Sequence, residues 1–387
     1  MANAEQERID AVSRYLRGES ASAICRAQGR SRRWLYLWLK RYEPGDPTWA
    51  QSRSRAPRRV ATKTAEQVEH LVCALRERLA KTKYAQKGAL AIQWQLRQLR
   101  VDPLPALWTI NRILKRHGLV VKARYQPRGI PYPRLVPTRP NDVHQLDLVG
   151  PRYLEGGRRF YGVHCIDAYS RAVALAAVPS KRDTDVVDAV VAGWQRLGIP
   201  RVLQVDNELS FRGSIRYPRS FGLLIRLCLS RGVEVVFIPT GEPWRNGIVE
   251  RFNDVYDKLF FRTQRFRGLA HLADELRRFE TFHNTQHRYA VLGQHVPWEV
   301  HTAGRRRLLP QRFTVPQRGL PFREGRVSFV RLTDDQGRVR FFSESFLVDG
   351  TLVHEYVTGT VFTRAGLLKF VHQNRLITIY RYAVTKT

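Results

Sequence analysis

Three acidic residues interrupt or follow apolar segments of the chain, where a carboxylate is costly to bury unless it is paired or binds a cation. Asp147 lies within the apolar segment 143–149, Asp206 directly follows the apolar segment 202–205, and Glu250 lies early in a predicted helix. Carboxylates are the ligands that Mg²⁺ prefers, and two such ions suit phosphoryl transfer. These three residues are therefore the candidate catalytic residues and metal ligands.

The segments around these acids alternate between strand-like and helix-like patterns. Three apolar runs come first, and helical patterns then separate the later strands. This order is typical of a ribonuclease H-like α/β fold, which we expect over residues 141–300. Asp167, at the end of the second strand, is expected to cap a turn. The predicted strands are 143–149, 160–166, 172–178, 202–205 and 234–238, and the predicted helices are 184–197, 219–229 and 246–261.

The sequence around the three acids resembles the DDE recombinases, the superfamily of retroviral integrases and bacterial insertion-sequence transposases. The match covers about residues 142–300, and its most specific part is the run Asn-Gly-Ile-Val-Glu-Arg-Phe-Asn at 246–253. The resemblance implies that Asp147, Asp206 and Glu250 bind two Mg²⁺ ions, with Mn²⁺ as a substitute. It also implies two steps at one site: water cleaves a DNA strand, and the freed 3′-hydroxyl then attacks target DNA.

Two features depart from the family pattern. Asp206 and Glu250 are separated by 43 residues, more than is usual, and the excess is expected in the loop 212–220. The family usually has Asp-Asn-Gly where this chain has Asp206-Asn207-Glu208, so Glu208 places an additional acid near the expected metals. A role for Glu208 as a substitute ligand stays open. Arg245 and the amides that begin the Glu250 helix are candidates to bind phosphate.

Positive charge is concentrated in the first part of the chain. The 387 residues include 66 Lys and Arg against 34 Asp and Glu, a formal net charge of +32. Residues 1–140 have 29 basic and 10 acidic residues, whereas residues 141–300 have 22 and 18. Arg, which supplies 55 of the basic residues, donates paired hydrogen bonds to phosphate. We therefore expect the flanks of the chain to bind double-stranded DNA.

Two segments near the N-terminus have the pattern of helix-turn-helix domains, one at 1–50 and one at 64–121. In each, the third helix has an apolar face for the core and a polar face that suits the major groove. We expect both polar faces to contact DNA. The first comprises Arg32, Arg33, Tyr36 and Lys40, and the second comprises Trp108, Asn111, Arg112, Lys115 and Arg116.

The C-terminal residues 325–387 alternate between apolar and polar residues in five short segments separated by turns. This pattern predicts a small β-barrel, similar to the SH3-like C-terminal domains of the same superfamily. The predicted fold class is thus multidomain, with two helix-turn-helix domains, a ribonuclease H-like core and an SH3-like barrel. The predicted linkers are 51–63 and 301–324, which are basic, and 122–140, which is extended.

Together these features predict a transposase that binds the terminal inverted repeats of a mobile element, cleaves a strand and transfers it into target DNA. Because two ends must be joined, a homo-oligomer on DNA, dimer or tetramer, is expected. An accessory protein is a further candidate partner. Two alternatives stay open: a catalytically silent, transposase-derived DNA-binding protein, and a nuclease of the ribonuclease H type.

The composition also excludes other classes of protein and site. The four cysteines are isolated in the sequence, which argues against a disulfide framework and a cysteine zinc site. No apolar run approaches the roughly 18 residues of a membrane span, and the first ten residues lack a signal-peptide pattern. We therefore expect no membrane partner and a cytoplasmic, nucleoid-associated location.

Overall fold

The computed structural model describes residues 2–52, 64–120, 132–213, 219–316 and 320–385. Most of the predicted basic linker 51–63 lies outside these ranges, and so do the first ten residues of the predicted linker 122–140. The centre of the loop 212–220, which is expected to hold the additional residues, also lies outside them. The chain divides into two compact units, residues 1–64 and residues 65–387. In the described residues, no helix is long and apolar enough to cross a membrane.

The first unit consists of three helices around a small apolar core. They are α1 (Ala2–Leu16), α2 (Ala21–Ala27) and α3 (Arg32–Leu39). Ser20 and Ser31 cap α2 and α3, because each hydroxyl accepts a hydrogen bond from an exposed amide of the first turn. The core is formed by Ala11, Ile24, Cys25 and Leu35, all buried. The three helices and their order agree with the prediction for residues 1–50.

The second unit begins with three further helices, α4 (Glu66–Lys81), α5 (Ala89–Gln98) and α6 (Leu107–Arg116). Their apolar faces meet in a core that includes Val72, Leu75, Ile92, Ile110 and Ile113. These helices lie where the second helical domain is predicted. They are grouped with residues further along the chain in one compact unit, so they do not form a separate body.

The rest of the unit is built on one nine-stranded sheet. Its N-terminal part contains the antiparallel strands β1, β2 and β3, and the parallel strands β4 and β5 extend it beyond β1. These five strands confirm the predicted ones in position. The bounds are β1 (Val143–Tyr153), β2 (Arg159–Asp167), β3 (Val173–Val178), α7 (Asp183–Arg196), β4 (Val202–Val205), α8 (Leu209–Arg212), α9 (Leu223–Ser230), β5 (Glu234–Phe237), α10 (Gly247–Leu259), α11 (Leu269–Gln286) and α12 (Pro297–Thr302).

Helices cover both faces of this sheet. Residues of α7 and α9, such as Trp194 and Leu224, pack on one face with the C-terminal strands. Residues of α10 and α11, such as Phe252 and Phe279, pack on the other face against β2 and β3. Tyr84, from the turn after α4, is buried in this second cluster. The sheet is therefore the middle layer of three, as in other α/β folds.

The C-terminal strands join this sheet, and the separate barrel predicted for residues 325–387 is not confirmed. Strand β6 pairs in parallel with β5, so that Val327 lies opposite Val235 and Phe329 opposite Phe237. The sheet then continues in antiparallel order through β9, β10 and β11, while β7 and β8 form a separate hairpin. The bounds are β6 (Arg326–Leu332), β7 (Arg338–Phe341), β8 (Glu344–Leu347), β9 (Tyr356–Phe362), β10 (Leu367–His372) and β11 (Arg375–Arg381).

Candidate active site

The two candidate aspartates lie side by side at the carboxyl edge of β1 and β4. The parallel register pairs Gln145 with Gln204, and the same offset of 59 residues places Asp147 level with Asp206. Neighbouring strands lie about 4.8 Å apart, and residues paired in a parallel register point to the same face. The sheet therefore presents both carboxylates at one edge and on one face.

The helix that carries Glu250 is tied to this edge by Gln145, which lies two residues before Asp147 on the same face of β1. Its Oε1 atom accepts hydrogen bonds from the backbone amides of Ile248 and Val249, each at 3.0 Å. These amides belong to the first turn of α10, whose first amides have no partner within the helix. Gln145 thus caps the N-terminus of α10 and fixes the position of the helix turn that carries Glu250.

Gln204, two residues before Asp206, makes the equivalent attachment from β4. Its Nε2 atom donates to the carbonyl oxygen of Arg245 at 3.1 Å and to Oδ1 of Asn246 at 3.2 Å. Asn246 in turn donates from Nδ2 to the carbonyl oxygen of Leu146 at 3.0 Å. Both strands that carry an aspartate therefore also hold the start of the glutamate helix.

The three carboxylates interact electrostatically. Burial raises the pKa of Glu250 to about 7, together with the negative charges of Asp147, Asp206 and Asp254. Burial also raises the pKa of Asp206; an amide hydrogen bond from Glu208 opposes this, whereas the charges of Asp147 and Glu208 add to it. Like charges that converge in a partly buried place favour a proton or a cation between them. The structure thus brings the three predicted catalytic residues into one site.

Asp147 is also oriented by a residue of α10, the helix that carries Glu250. Asn253, one turn after Glu250, donates from Nδ2 to Oδ2 of Asp147 at 2.6 Å. The other amide atom of Asn253 is hydrogen-bonded to Nδ1 of His164 on β2, at 2.8 Å. Asn253 thus links Asp147 to His164 and fixes the orientation of the Asp147 carboxylate.

The donor set fits a divalent cation in its chemistry. Three carboxylates are hard oxygen ligands of the kind that Mg²⁺ prefers, and the pKa of Glu250 is raised by burial and by neighbouring negative charges that a cation would compensate. Among the described residues, no group of three or more His, Cys, Asp or Glu side chains is already close enough together to hold a metal ion. Bringing the three carboxylates onto one ion therefore requires side-chain adjustment.

Two family models match the chain. A homeodomain-like domain matches residues 2–49, which are the three helices of the first unit. An integrase core domain matches residues 231–297, from the residues before β5 through α10 and α11. The chain thus contains a homeodomain-like segment and a segment that matches the integrase core domain. The matched range includes Glu250 and Asn253, whereas Asp147 and Asp206 lie before it, so their assignment depends on the register of β1 and β4.

Several solved structures resemble parts of this chain. The HTLV-2 integrase catalytic core domain in complex with magnesium is 17% identical over 42% of this chain and 98% of its own, with a TM-score of 0.33. The simian T-cell lymphotropic virus intasome in complex with PP2A regulatory subunit B56 gamma is 13% identical over 76% and 95%, with a TM-score of 0.38. The BIV integrase catalytic core domain is 16% identical over 42% and 95%, with a TM-score of 0.30.

Glu208, which lies where the DDE recombinases usually have glycine, has its own partners. Its φ is −56°, so this position does not need the left-handed backbone that favours glycine. Its carboxylate accepts a hydrogen bond from Lys181 Nζ at 2.8 Å and from the amide of Leu209 at 3.3 Å, and its amide donates to Asp206 at 3.0 Å. Glu208 therefore orients Asp206 and begins α8 while its own charge is paired.

Sequence reasoning missed Arg331, which attaches the C-terminal strands to the site. This half-buried side chain on β6 donates from Nη2 to Oδ1 of Asn207 at 2.7 Å and from Nη1 to the carbonyl oxygen of Ile238 at 3.0 Å. Asn207, the residue after Asp206, also donates to that carbonyl at 2.7 Å. Among the described residues, no carboxylate lies within ion-pair distance of Arg331. Nothing in its strand pattern distinguishes it from an ordinary surface arginine.

Arg245 occupies a different environment from the one predicted. Its guanidinium donates to Glu242 at 2.8 Å and to the hydroxyl of Tyr356 at 2.9 Å, and lies over the rings of Tyr132 and Tyr356. Only 13% of the side chain is exposed. Arg245 therefore packs between the start of α10 and strand β9, and is not presented to DNA as a free phosphate ligand. The neighbouring Trp244, by contrast, is 63% exposed.

The predicted DNA-contacting faces are exposed in both helical segments. On α3 the four predicted side chains are all accessible, and the same holds for the five on α6. Arg116 is exposed but forms an ion pair, because its Nη1 atom donates to both carboxylate oxygens of Glu69 at 2.8 and 2.9 Å. Arg112 lies over the ring of Trp108. The first face belongs to the homeodomain-like match, and the second lies outside both matched ranges.

Asp167 caps a turn, as predicted. One carboxylate oxygen accepts from the amides of Tyr169 and Ser170, at 3.0 and 2.6 Å, and from the hydroxyl of Ser170 at 2.8 Å. The other lies 3.5 Å from Nε2 of His144. Burial opposes ionisation of Asp167, but the contacts with His144 and Ser170 outweigh it and lower the pKa of Asp167 to about 2. Its role is structural.

Proposed function

We propose that this chain is a DDE transposase that binds the terminal inverted repeats of a mobile element, cleaves a DNA strand and joins it to target DNA. The observation that carries the proposal is the placement of Asp147 level with Asp206 at one sheet edge, with Glu250 held over that edge by Gln145 and Gln204. An arrangement of three acids with such specific supporting contacts has no evident use in stabilising the fold, because it raises the pKa of Glu250.

The three carboxylates would hold the divalent metal, Mg²⁺ with Mn²⁺ as a substitute. When bound, a pair of such ions supplies charge neutralisation for the attacking and leaving oxygens of a phosphodiester. The protein's own part is orientation. Asn253 fixes one oxygen of Asp147, the amide of Glu208 fixes Asp206, and the two glutamines fix the start of α10. The exposed Trp244 lies just before this helix, where it is accessible to DNA.

DNA recognition would come from the helical segments. The homeodomain-like match and the exposed basic face of α3 support binding to the major groove by the first unit. The exposed face of α6 would extend the contact to a longer site. Transposition joins two DNA ends, so we infer that the active species is a homo-oligomer assembled on DNA.

The test is a strand-cleavage and strand-transfer assay on DNA that contains the element end, with Mg²⁺ or Mn²⁺. Wild type is expected to give cleaved and joined products that require the metal. Glu250→Gln retains the shape of the side chain but weakens metal ligation, so it should bind DNA with unchanged affinity and give no products. Glu77→Gln, which alters an exposed glutamate on α4, is the matched control and should retain activity.

Two results would contradict the proposal. Activity retained in Glu250→Gln would remove this glutamate from the catalytic set. Tight, sequence-specific DNA binding without products from wild type, in either metal, would favour the catalytically silent DNA-binding protein instead.

A further inference from the structure

A basic cavity lies at the sheet edge opposite the carboxylates. Its volume is about 670 Å³, and it is lined by the residues that precede β1, β4 and β5 and by those that follow α12. Strand β1 begins at Val143 and reaches Asp147 four residues later. At about 3.3 Å per residue, the two ends of that segment are about 13 Å apart. The cavity is therefore separate from the candidate active site. We call it the arginine cleft.

The arginine cleft has a large excess of positive charge. Its lining includes five arginines and one acid, Asp142. Asp142 lies 3.2 Å from Nε of Arg139 and 3.6 Å from Nε of Arg201, so one carboxylate is shared between two guanidinium groups. The side chains of these two arginines are 75% and 55% exposed, which leaves most of their donors accessible. The arginines are Arg139, Arg201, Arg305, Arg306 and Arg307.

The walls of the cleft are built by backbone hydrogen bonds. The amide of Ile199 donates to the carbonyl oxygen of Arg307 at 2.8 Å, and the amide of Arg201 donates to that of Asn141 at 2.8 Å. Arg307 also donates from Nη2 to the carbonyl oxygen of Arg231 at 2.7 Å. The guanidinium of Arg306 lies over the ring of Trp298. Because these segments are already held together, ligand binding would order little additional chain.

We propose that the arginine cleft binds consecutive backbone phosphates of duplex DNA, at a distance from the scissile phosphate. Guanidinium groups bind phosphate through paired hydrogen bonds, and successive phosphates of one strand follow about every 3.4 Å along the helix axis, so one stretch of backbone meets several of these arginines. The cleft lies too far from the carboxylates for these to be the phosphates that react. The choice of DNA over another polyanion rests on the proposed function.

The experiment compares two triple variants of the full chain. Arg139→Gln, Arg201→Gln and Arg305→Gln together remove three of the cleft's five arginines, whereas Arg267→Gln, Arg277→Gln and Arg375→Gln remove three exposed arginines elsewhere in the same unit. The affinity for a 40-base-pair duplex is measured between 50 and 300 mM salt. Each phosphate contact contributes about 0.9 to the slope of log affinity against log salt. The cleft variant should lower that slope by about 2 to 3, and the scattered variant by less than 1.

Equal slopes for the two triple variants would overturn the proposal, provided that both melt at the wild-type temperature. Arg305→Glu, which leaves both contacts of Asp142 in place, guards against a folding defect and should lower DNA affinity on its own by at least fivefold. Inorganic pyrophosphate is the probe for a free-anion site: thermal stabilisation by pyrophosphate that the cleft variant loses, with unchanged DNA slopes, would assign the cleft to a small anion instead. If the slopes of the two triple variants differ but wild type cleaves no DNA, the cleft is supported as a DNA-binding site and the proposed transposase activity is refuted.

Discussion

Arg331 connects the C-terminal strands to the turn that carries Asp206, and its removal is expected to impair catalysis more than DNA binding. Burial lowers the pKa of Arg331 to about 10, aided by the charge of Arg212, so the side chain stays ionised at neutral pH. It donates to Asn207 and to the carbonyl oxygen of Ile238. Arg331→Met removes both contacts, together with those to the carbonyl oxygens of Val330 and Arg340, while it retains most of the apolar stem.

The magnitude follows from these contacts. A hydrogen bond from a charged group contributes about 1.5–3 kcal/mol in a buried setting. Because Arg331 is only half-buried, we expect Arg331→Met to lower the free energy of unfolding by about 1–3 kcal/mol in total. The larger effect is on rate, because Asn207 no longer fixes the turn after Asp206. A displacement of about 1 Å at a reacting group costs about 100-fold, so cleavage should fall about 10- to 100-fold.

The assay measures metal-dependent strand cleavage, DNA affinity and thermal stability for the same set of variants. Arg331→Met should need a higher Mg²⁺ concentration for half-maximal rate, while its affinity for the element end changes less than threefold. Arg331→Lys retains the charge but not the planar fork, and should recover only part of the rate. Arg326→Met is the matched control on the same strand, where the exposed arginine pairs with the mostly buried Glu234.

A double-mutant cycle between Arg331→Met and Asn207→Ala tests the contact itself. Residues that act through one hydrogen bond are not additive, and the coupling should be at least about 1 kcal/mol in cleavage rate. Additive effects, or a loss of rate that Arg326→Met reproduces, would refute the role of Arg331 as a positioning residue.

Three further outcomes are expected. The pKa of Asp167 is lowered to about 2 from 3.8, so its ionised form stabilises the fold by about 2 kcal/mol above pH 4, and this stabilisation is lost as the pH falls toward 2. Asp167→Asn should therefore be less stable by about 2 kcal/mol at pH 7 in urea denaturation. The difference in free energy of unfolding between wild type and variant should disappear in acid. Tyr84→Phe removes a 2.7 Å hydrogen bond to Glu275 on α11 and should cost about 1 kcal/mol in the same measurement. Arg32→Ala with Arg33→Ala should reduce the salt dependence of DNA binding by a slope of about 2, and an unchanged slope would place α3 outside the interface.

The candidate site residues could be predicted where a charged side chain lies in a segment in which its burial would be energetically costly. Asp147 stands out within, and Asp206 directly after, a short strand segment that is mostly apolar. Two parallel strands place their carboxyl ends at one edge, so the proximity of these acids follows once both segments are recognised as strands. Glu250 is recognisable because the run around it is specific. In each case, the signal lies within a few residues of the functional side chain.

The supporting residues could not be predicted, because their signal is spread along the chain. Arg331 and Asn207 are 124 residues apart, and neither is unusual in its own segment. Gln145 and Gln204 look like polar interruptions of short strands until the register shows that both face the start of α10. For Arg245, the local sequence is misleading. Its residue type and its place before the helix suggest a phosphate ligand, but its guanidinium donates to Glu242 and Tyr356.

The C-terminal strands show why alternation predicts strands but not their partners. A period of two establishes which face of β6 is buried, and a strand in a closed barrel and a strand added to an open sheet give the same pattern. The difference lies in the edge of β5, which pairs with β6 and would otherwise be left with unpaired backbone groups. Once β6 covers that edge, its own residues reach the carboxyl end of β4, where Arg331 contacts Asn207. The same pairing that completes the sheet therefore places a C-terminal residue in support of Asp206, so this part of the chain contributes to the geometry of the candidate catalytic site.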